Sequence, residues 1–187
     1  MGSKPVLAIP PVLVPHLHRT SSDPRPVVLM TCGAGKTTLV RTVLEQYPSF
    51  NRISMDAIIF AAHGIYGIDY PASVTLYDEY NNEADVIYEQ TFRKLLTEGK
   101  DVALERSFYA KEDRDEFRKI AKEGGARVVL VFLQAKDKEM LWDRICKRSA
   151  RVKTADSAFN ISREMFDVYW SGFENPDGED EVVVVVD

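Results

Sequence analysis

The run Val27-Val28-Leu29-Met30 leads within a few residues into Gly33-Ala34-Gly35-Lys36-Thr37-Thr38, and an amphipathic stretch follows at once. Four consecutive apolar residues fit a strand buried on both faces, which requires parallel neighbours and helical crossovers. The glycines let the chain turn sharply and take positive φ between strand and helix. The spacing of Leu39, Val40, Val43 and Leu44 then predicts a helix from Lys36 to about Gln46. This strand–turn–helix unit places the chain among α/β folds.

The rest of the chain repeats the alternation. Further strands are predicted at Arg52-Ile53-Ser54, Asp101 to Glu105, Arg127 to Leu133 and Val182 to Val186. Leu76, Tyr80, Ala84, Ile87, Thr91 and Leu95 recur every three or four residues, which predicts a long helix from about Thr75 to Leu96 ended by Gly99. Helices are also predicted over Lys111–Lys122, Lys138–Arg148 and Ile161–Trp170. Strands separated by helices imply βαβ units and one parallel five-stranded sheet flanked by helices. The 187 residues suit a single such domain, with neither internal repeats nor a second domain. Six of the nine prolines fall in residues 1–26. That stretch is read as an extended arm, either laid on the domain or left as a tail.

Charge and cysteine content narrow the function. A net charge of −5 gives no general attraction for nucleic acid, so any anion must be met by a local basic cluster. Cys32 and Cys146 are far apart and in no metal-type spacing, which fits a reducing, cytoplasmic compartment. No apolar run is long enough to span a membrane, and the N-terminal residues match neither a secretory nor a myristoylation signal.

The glycine-rich turn carries the chemistry. A phosphate needs inward-facing backbone N–H groups, a helix N-terminus, a lysine for the β and γ phosphates and a hydroxyl for Mg²⁺. Gly33, Ala34, Gly35, Lys36, Thr37 and Thr38 supply these parts and are the expected ATP-binding residues, with Thr37 on the metal. The match has a defect. The pattern G-x-x-x-x-G-K-[ST] wants glycine five residues before Gly35, where Met30 stands. If Gly33 is taken as the first glycine instead, the loop is three residues short. Taken alone, Gly35 to Thr38 also fits an ordinary strand–turn–helix.

Tyr47-Pro48-Ser49-Phe50-Asn51-Arg52-Ile53-Ser54-Met55-Asp56 follows the first helix. With the loop, this order resembles the P-loop kinases of the AAA_33, zeta-toxin and polynucleotide 5′-kinase type, over about Val27 to Phe173. The resemblance implies the three-layer P-loop NTPase fold, with residues 1–26 as the arm and 27–187 as the kinase domain. It implies ATP and Mg²⁺ as cofactors and Asp56 as the base that takes the acceptor hydroxyl's proton. Asp56 also suits the N-cap of a helix through Ala57 and Ile58. In polynucleotide kinases an arginine three residues further on grips the acceptor strand. Ile59 stands there in this chain, which disfavours nucleic acid and favours a small-molecule acceptor. Glu105 ends the third strand, where the family often has Asp. It serves either Mg²⁺ or acceptor, or else a salt bridge with Arg106 or Arg114.

Residues 144–153 hold five basic side chains and no acidic one. The resemblance puts a lid near 148–160, whose arginines neutralise the transferring phosphoryl group. Arg148 and Arg144, one helical turn apart, are the candidates, and Arg151 and Lys153 fall in the loop. The alternative is favourable charge at a helix C-terminus. Tyr66, Tyr70, Tyr77 and Tyr80 form either an acceptor pocket or part of the core. His63 by itself indicates neither metal nor catalysis. Glu174 to Glu181 is read as a solvated turn.

Overall fold

The computed structural model describes residues 8–149, 154 and 161–186. Five strands form one sheet: β1 (Val27–Gly33), β2 (Phe50–Ser54), β3 (Asp101–Glu105), β4 (Arg127–Ala135) and β5 (Val182–Val186). Their order is β2-β3-β1-β4-β5, and every pair is parallel. Six helices connect them: α1 (Lys36–Gln46), α2 (Met55–His63), α3 (Val74–Thr97), α4 (Lys111–Glu123), α5 (Lys138–Ser149) and α6 (Arg163–Gly172).

Strand alternation sorts the core into two layers, because successive side chains point to opposite faces. Val28, Met30 and Cys32 of β1 pack with Tyr88, Phe92 and Leu96 of α3 and Phe117 and Ile120 of α4. Val27 and Leu29 pack on the other face with Leu39, Val40 and Val43 of α1. Helices on both faces of a parallel sheet make the three-layer α/β fold. Each fully buried apolar side chain contributes about 1.5–3 kcal/mol.

Helix starts follow local chemistry. The hydroxyls of Ser54, Ser73 and Ser162 accept from the amides of Ala57, Leu76 and Met165 and cap α2, α3 and α6. The Ser162 cap sets the start of α6 at Arg163, two residues later than apolar spacing suggested. Ser54, the last residue of β2, is therefore the cap that Asp56 was considered for. Asp56 lies one residue inside the helix.

The N-terminal arm is built into the domain over its described part. Ile9, Leu13 and Leu17 are buried and join the α1 layer, on either side of a 3-10 turn at Val14–His16. Arg19 ties the arm to β3 through Asp101 Oδ1 at 2.9 Å and the Gly99 carbonyl at 2.6 Å. The acidic tail also differs from a solvated turn. Glu179 has a side chain only 4% exposed and binds Arg114, which is fully buried, at 2.7 Å. Arg118 joins it at 2.8 Å. Two arginines from α4 thus hold down the segment that leads into β5.

Candidate active site

The site forms at the carboxyl ends of β1, β2 and β3. Register brings Thr31 of β1 beside Glu105 of β3, and Glu105 beside Ser54 of β2. The chain leaves β1 through Gly33 and Gly35, at φ 86° and 93°. A Cβ on Gly33 would lie 2.2 Å from the Leu133 carbonyl oxygen, so only glycine fits against β4. The Ala34 amide donates to that same oxygen at 2.9 Å.

Gly35 is the left-handed N-cap of α1, and no side chain caps the helix. The first intrahelical bond runs from the Leu39 amide to the Gly35 carbonyl at 3.1 Å. The amides of Lys36, Thr37 and Thr38 precede it and lack intrahelical acceptors. Together with the helix dipole they make a positive terminus suited to a phosphate. The fit to ATP is partial. With only Ala34 between the strand's last residue and the N-cap, and its amide bound to Leu133, the loop offers fewer donors than a full-length one.

Lys36 opens α1 directly after the left-handed Gly35. Its Nζ donates to the Gly33 carbonyl at 3.2 Å, folding the side chain back over the loop. Burial pulls its ammonium below the usual lysine range. The carboxylates of Asp56 and Glu105 oppose that shift, and Arg148 adds to it, so all three charges act on Lys36. Asp56 itself is exposed, in the first turn of α2.

Glu105 is 5% exposed. Its Oε1 accepts the Thr37 hydroxyl, and its Oε2 takes Arg52 Nε and Nη2, each at 2.7 Å. Its ion-pair partner is thus Arg52, and neither Arg106 nor Arg114. Arg106 pairs with Asp85 of α3, and Arg114 with Glu179. A hydroxyl facing a carboxylate is a hard-oxygen donor set that fits Mg²⁺. Among the described residues no group of three or more His, Cys, Asp or Glu could hold a metal. A cation here must therefore take its remaining ligands from water or phosphate.

Arg144 and Arg148 project from α5. Arg144 Nη2 lies 3.9 Å from the point where a Gly35 Cβ would stand. Arg151, Lys153 and most of the predicted lid lie outside the described residues. The helices on either side of that segment are braced together. Arg163 of α6 grips both oxygens of Glu139 at 2.6 and 2.7 Å and stands over the ring of Trp142 at 5.4 Å.

Tyr66 and Tyr70 lie in the segment that joins α2 to α3, and Tyr77 and Tyr80 in the first two turns of α3. Tyr66 meets Tyr70 and Tyr77 edge-on, each at 5.8 Å. His63 stacks on Tyr80 at 3.5 Å, and its Nε2 is 2.9 Å from Glu83. Burial pushes the Tyr77 hydroxyl up to about 12, and the Asp56 carboxylate adds to that rise. Ile59 is buried, so its position presents no side chain to an acceptor. Sequence reasoning missed Arg52. Its signal is a charged residue within the short strand β2, two residues before the strand's end and so on the same face as Ser54.

An AAA domain family model, AAA_33, matches residues 28–176. The chain belongs to the AAA_33 family. No functionally curated protein matches its sequence. Solved structures share the fold at low identity. A Chloroflexus aurantiacus protein provisionally named a kinase has a TM-score of 0.69 at 17% identity, covering 86% of this chain and 88% of its own. A gluconokinase from Sinorhizobium meliloti has a TM-score of 0.53 at 19% identity, covering 87% and 83%. Kti12 from Chaetomium thermophilum, solved with ADP-AlF3, has a TM-score of 0.56 at 15% identity, covering 87% and 90%. The fold is that of the P-loop kinases, as the motif order implied.

Proposed function

We propose that this chain is an ATP-dependent phosphotransferase that moves the γ-phosphoryl group to a hydroxyl of a small-molecule acceptor. The observation that carries the reading is the setting of Lys36. One ammonium lies in the field of Asp56, Glu105 and Arg148, on an uncapped helix N-terminus approached by Arg144.

ATP with Mg²⁺ would supply the phosphoryl group and the metal's charge neutralisation. Lys36 and the amides of Gly35 to Thr38 hold the phosphates. Thr37 and Glu105 hold the cation. Asp56, exposed beside them, accepts the proton of the acceptor hydroxyl, a contribution of about 10²–10⁴ in rate. Arg144 and Arg148 offset the negative charge on the phosphoryl oxygens. Tyr77 stands on the acceptor side.

Ile59 supports a small acceptor over a polynucleotide, since the position offers no cation to a phosphate backbone. Hydroxy acids are the first acceptors to test, given the fold shared with a gluconokinase. A second reading, a nucleotide-binding protein without catalysis, is favoured by the Ala34–Leu133 hydrogen bond and the brevity of the loop.

The test is transfer of labelled γ-phosphate to a panel of hydroxy compounds and to a 5′-hydroxyl oligonucleotide. Transfer to a small acceptor, with Asp56→Asn losing about a hundredfold or more in rate while ATP binding persists, is the expected result. Labelling of the oligonucleotide instead selects the polynucleotide reading. ATP binding without transfer to any acceptor selects the non-catalytic one.

A further inference from the structure

We propose that Arg52 is a positioning residue for the metal-side carboxylate: it fixes Glu105 so that one oxygen stays aimed at the Thr37 hydroxyl. The inference rests on the reading of the site as one for ATP with Mg²⁺. Ser54 of β2 pairs with Glu105 of β3, and Arg52 lies two residues upstream on the same face of β2. Its guanidinium therefore reaches Glu105 from a position two residues before the carboxyl end of β2.

Arg52 Nε and Nη2 both bind the same oxygen of Glu105, Oε2. That leaves Oε1 to face Thr37. The division fixes the plane of the carboxylate as well as its position. A buried carboxylate without a partner would be costly and would turn to find one. Lysine could supply the charge but not the planar fork that sets this orientation. Arg52 thus acts through Glu105, as an outer-shell partner acts on a metal ligand.

A purely structural salt bridge makes a different forecast. Its loss would lower the melting temperature and leave the Mg²⁺ requirement of nucleotide binding unchanged. The experiment titrates Mg²⁺ into the full chain with a fluorescent ATP analogue and compares wild type with Arg52→Met and Arg52→Lys. In Arg52→Met the half-saturating Mg²⁺ concentration should rise about tenfold or more, the usual effect of losing an outer-shell partner. Analogue affinity in the presence of EDTA should stay at the wild-type value. Arg52→Lys should shift in the same direction by less, and Glu105→Gln should reproduce the Arg52→Met behaviour.

A folded Arg52→Met with wild-type Mg²⁺ dependence overturns the proposal and leaves the nucleotide reading standing. Absence of Mg²⁺-dependent binding in the wild type overturns both. Should Arg52→Met not fold, Arg52→Lys decides: a wild-type Mg²⁺ requirement in that variant rejects the role of the fork.

Discussion

The amide of Ala34 donates to the carbonyl of Leu133 at 2.9 Å, so the first turn after β1 is tied to β4 and does not arch away from it. This bond spends a donor that a longer loop would turn toward a phosphate. Insertion of three residues between Gly33 and Ala34, which restores the full spacing to Gly35, should release it. We expect ATP–Mg²⁺ affinity to rise at least about tenfold, equivalent to roughly one charge-assisted hydrogen bond. Isothermal titration of both chains gives the comparison. Equal affinities would show that the short turn already supplies every donor the nucleotide uses.

Arg144 and Arg148 are exposed on α5, so their removal should leave the fold intact. Arg144→Ala and Arg148→Ala should each lower kcat by about a hundredfold or more, as donors aimed at developing charge do. Melting temperatures should stay within about 2 °C of wild type, as for surface substitutions. A change confined to KM would assign the arginines to ground-state binding of ATP.

Glu179 is held by Arg114 and Arg118, and its hydrogen bond to Arg114 is the main reason its carboxyl titrates below the usual glutamate range. The folded value is depressed, so the stabilisation is fully present above the unfolded value. It is lost as pH falls through the folded one. Glu179→Gln leaves Arg114 buried without its counter-charge and should cost about 3 kcal/mol at pH 7. That corresponds to roughly 6–12 °C in Tm. The gap between variant and wild type should narrow below about pH 4.5. Thermal melts from pH 7 to pH 3 measure it, and a gap constant across that range would remove the ion pair as its source.

Leu13 is fully buried in the α1 layer, although it belongs to the proline-rich arm. Leu13→Ala should therefore cost about 2–5 kcal/mol, as in other cores. Urea unfolding provides the measure. A loss below about 0.5 kcal/mol would mean that the arm contributes no core.

The amino-acid sequence by itself determined the element order, because each element carries its own period. Short apolar runs marked β1, β3, β4 and β5, Arg52-Ile53-Ser54 marked part of β2, and three-to-four spacing marked the longer helices. Gly33 and Gly35 were legible too, since a positive φ next to a backbone carbonyl admits little else. So were the helix ends, except where the serine caps at Ser54 and Ser162 shifted a boundary.

What the tertiary structure alone decided is the pairing of charges. Arg52 and Glu105 are 53 residues apart in the chain, and Arg114 and Glu179 are 65 apart. Local pattern cannot say which arginine a carboxylate meets, because that depends on strand order and register. The same holds for Ala34 and Leu133, which meet only because β4 lies beside β1. Phosphate-loop chemistry is local and can be read along the chain. The partners that orient it come from neighbouring strands and appear only when the sheet is assembled.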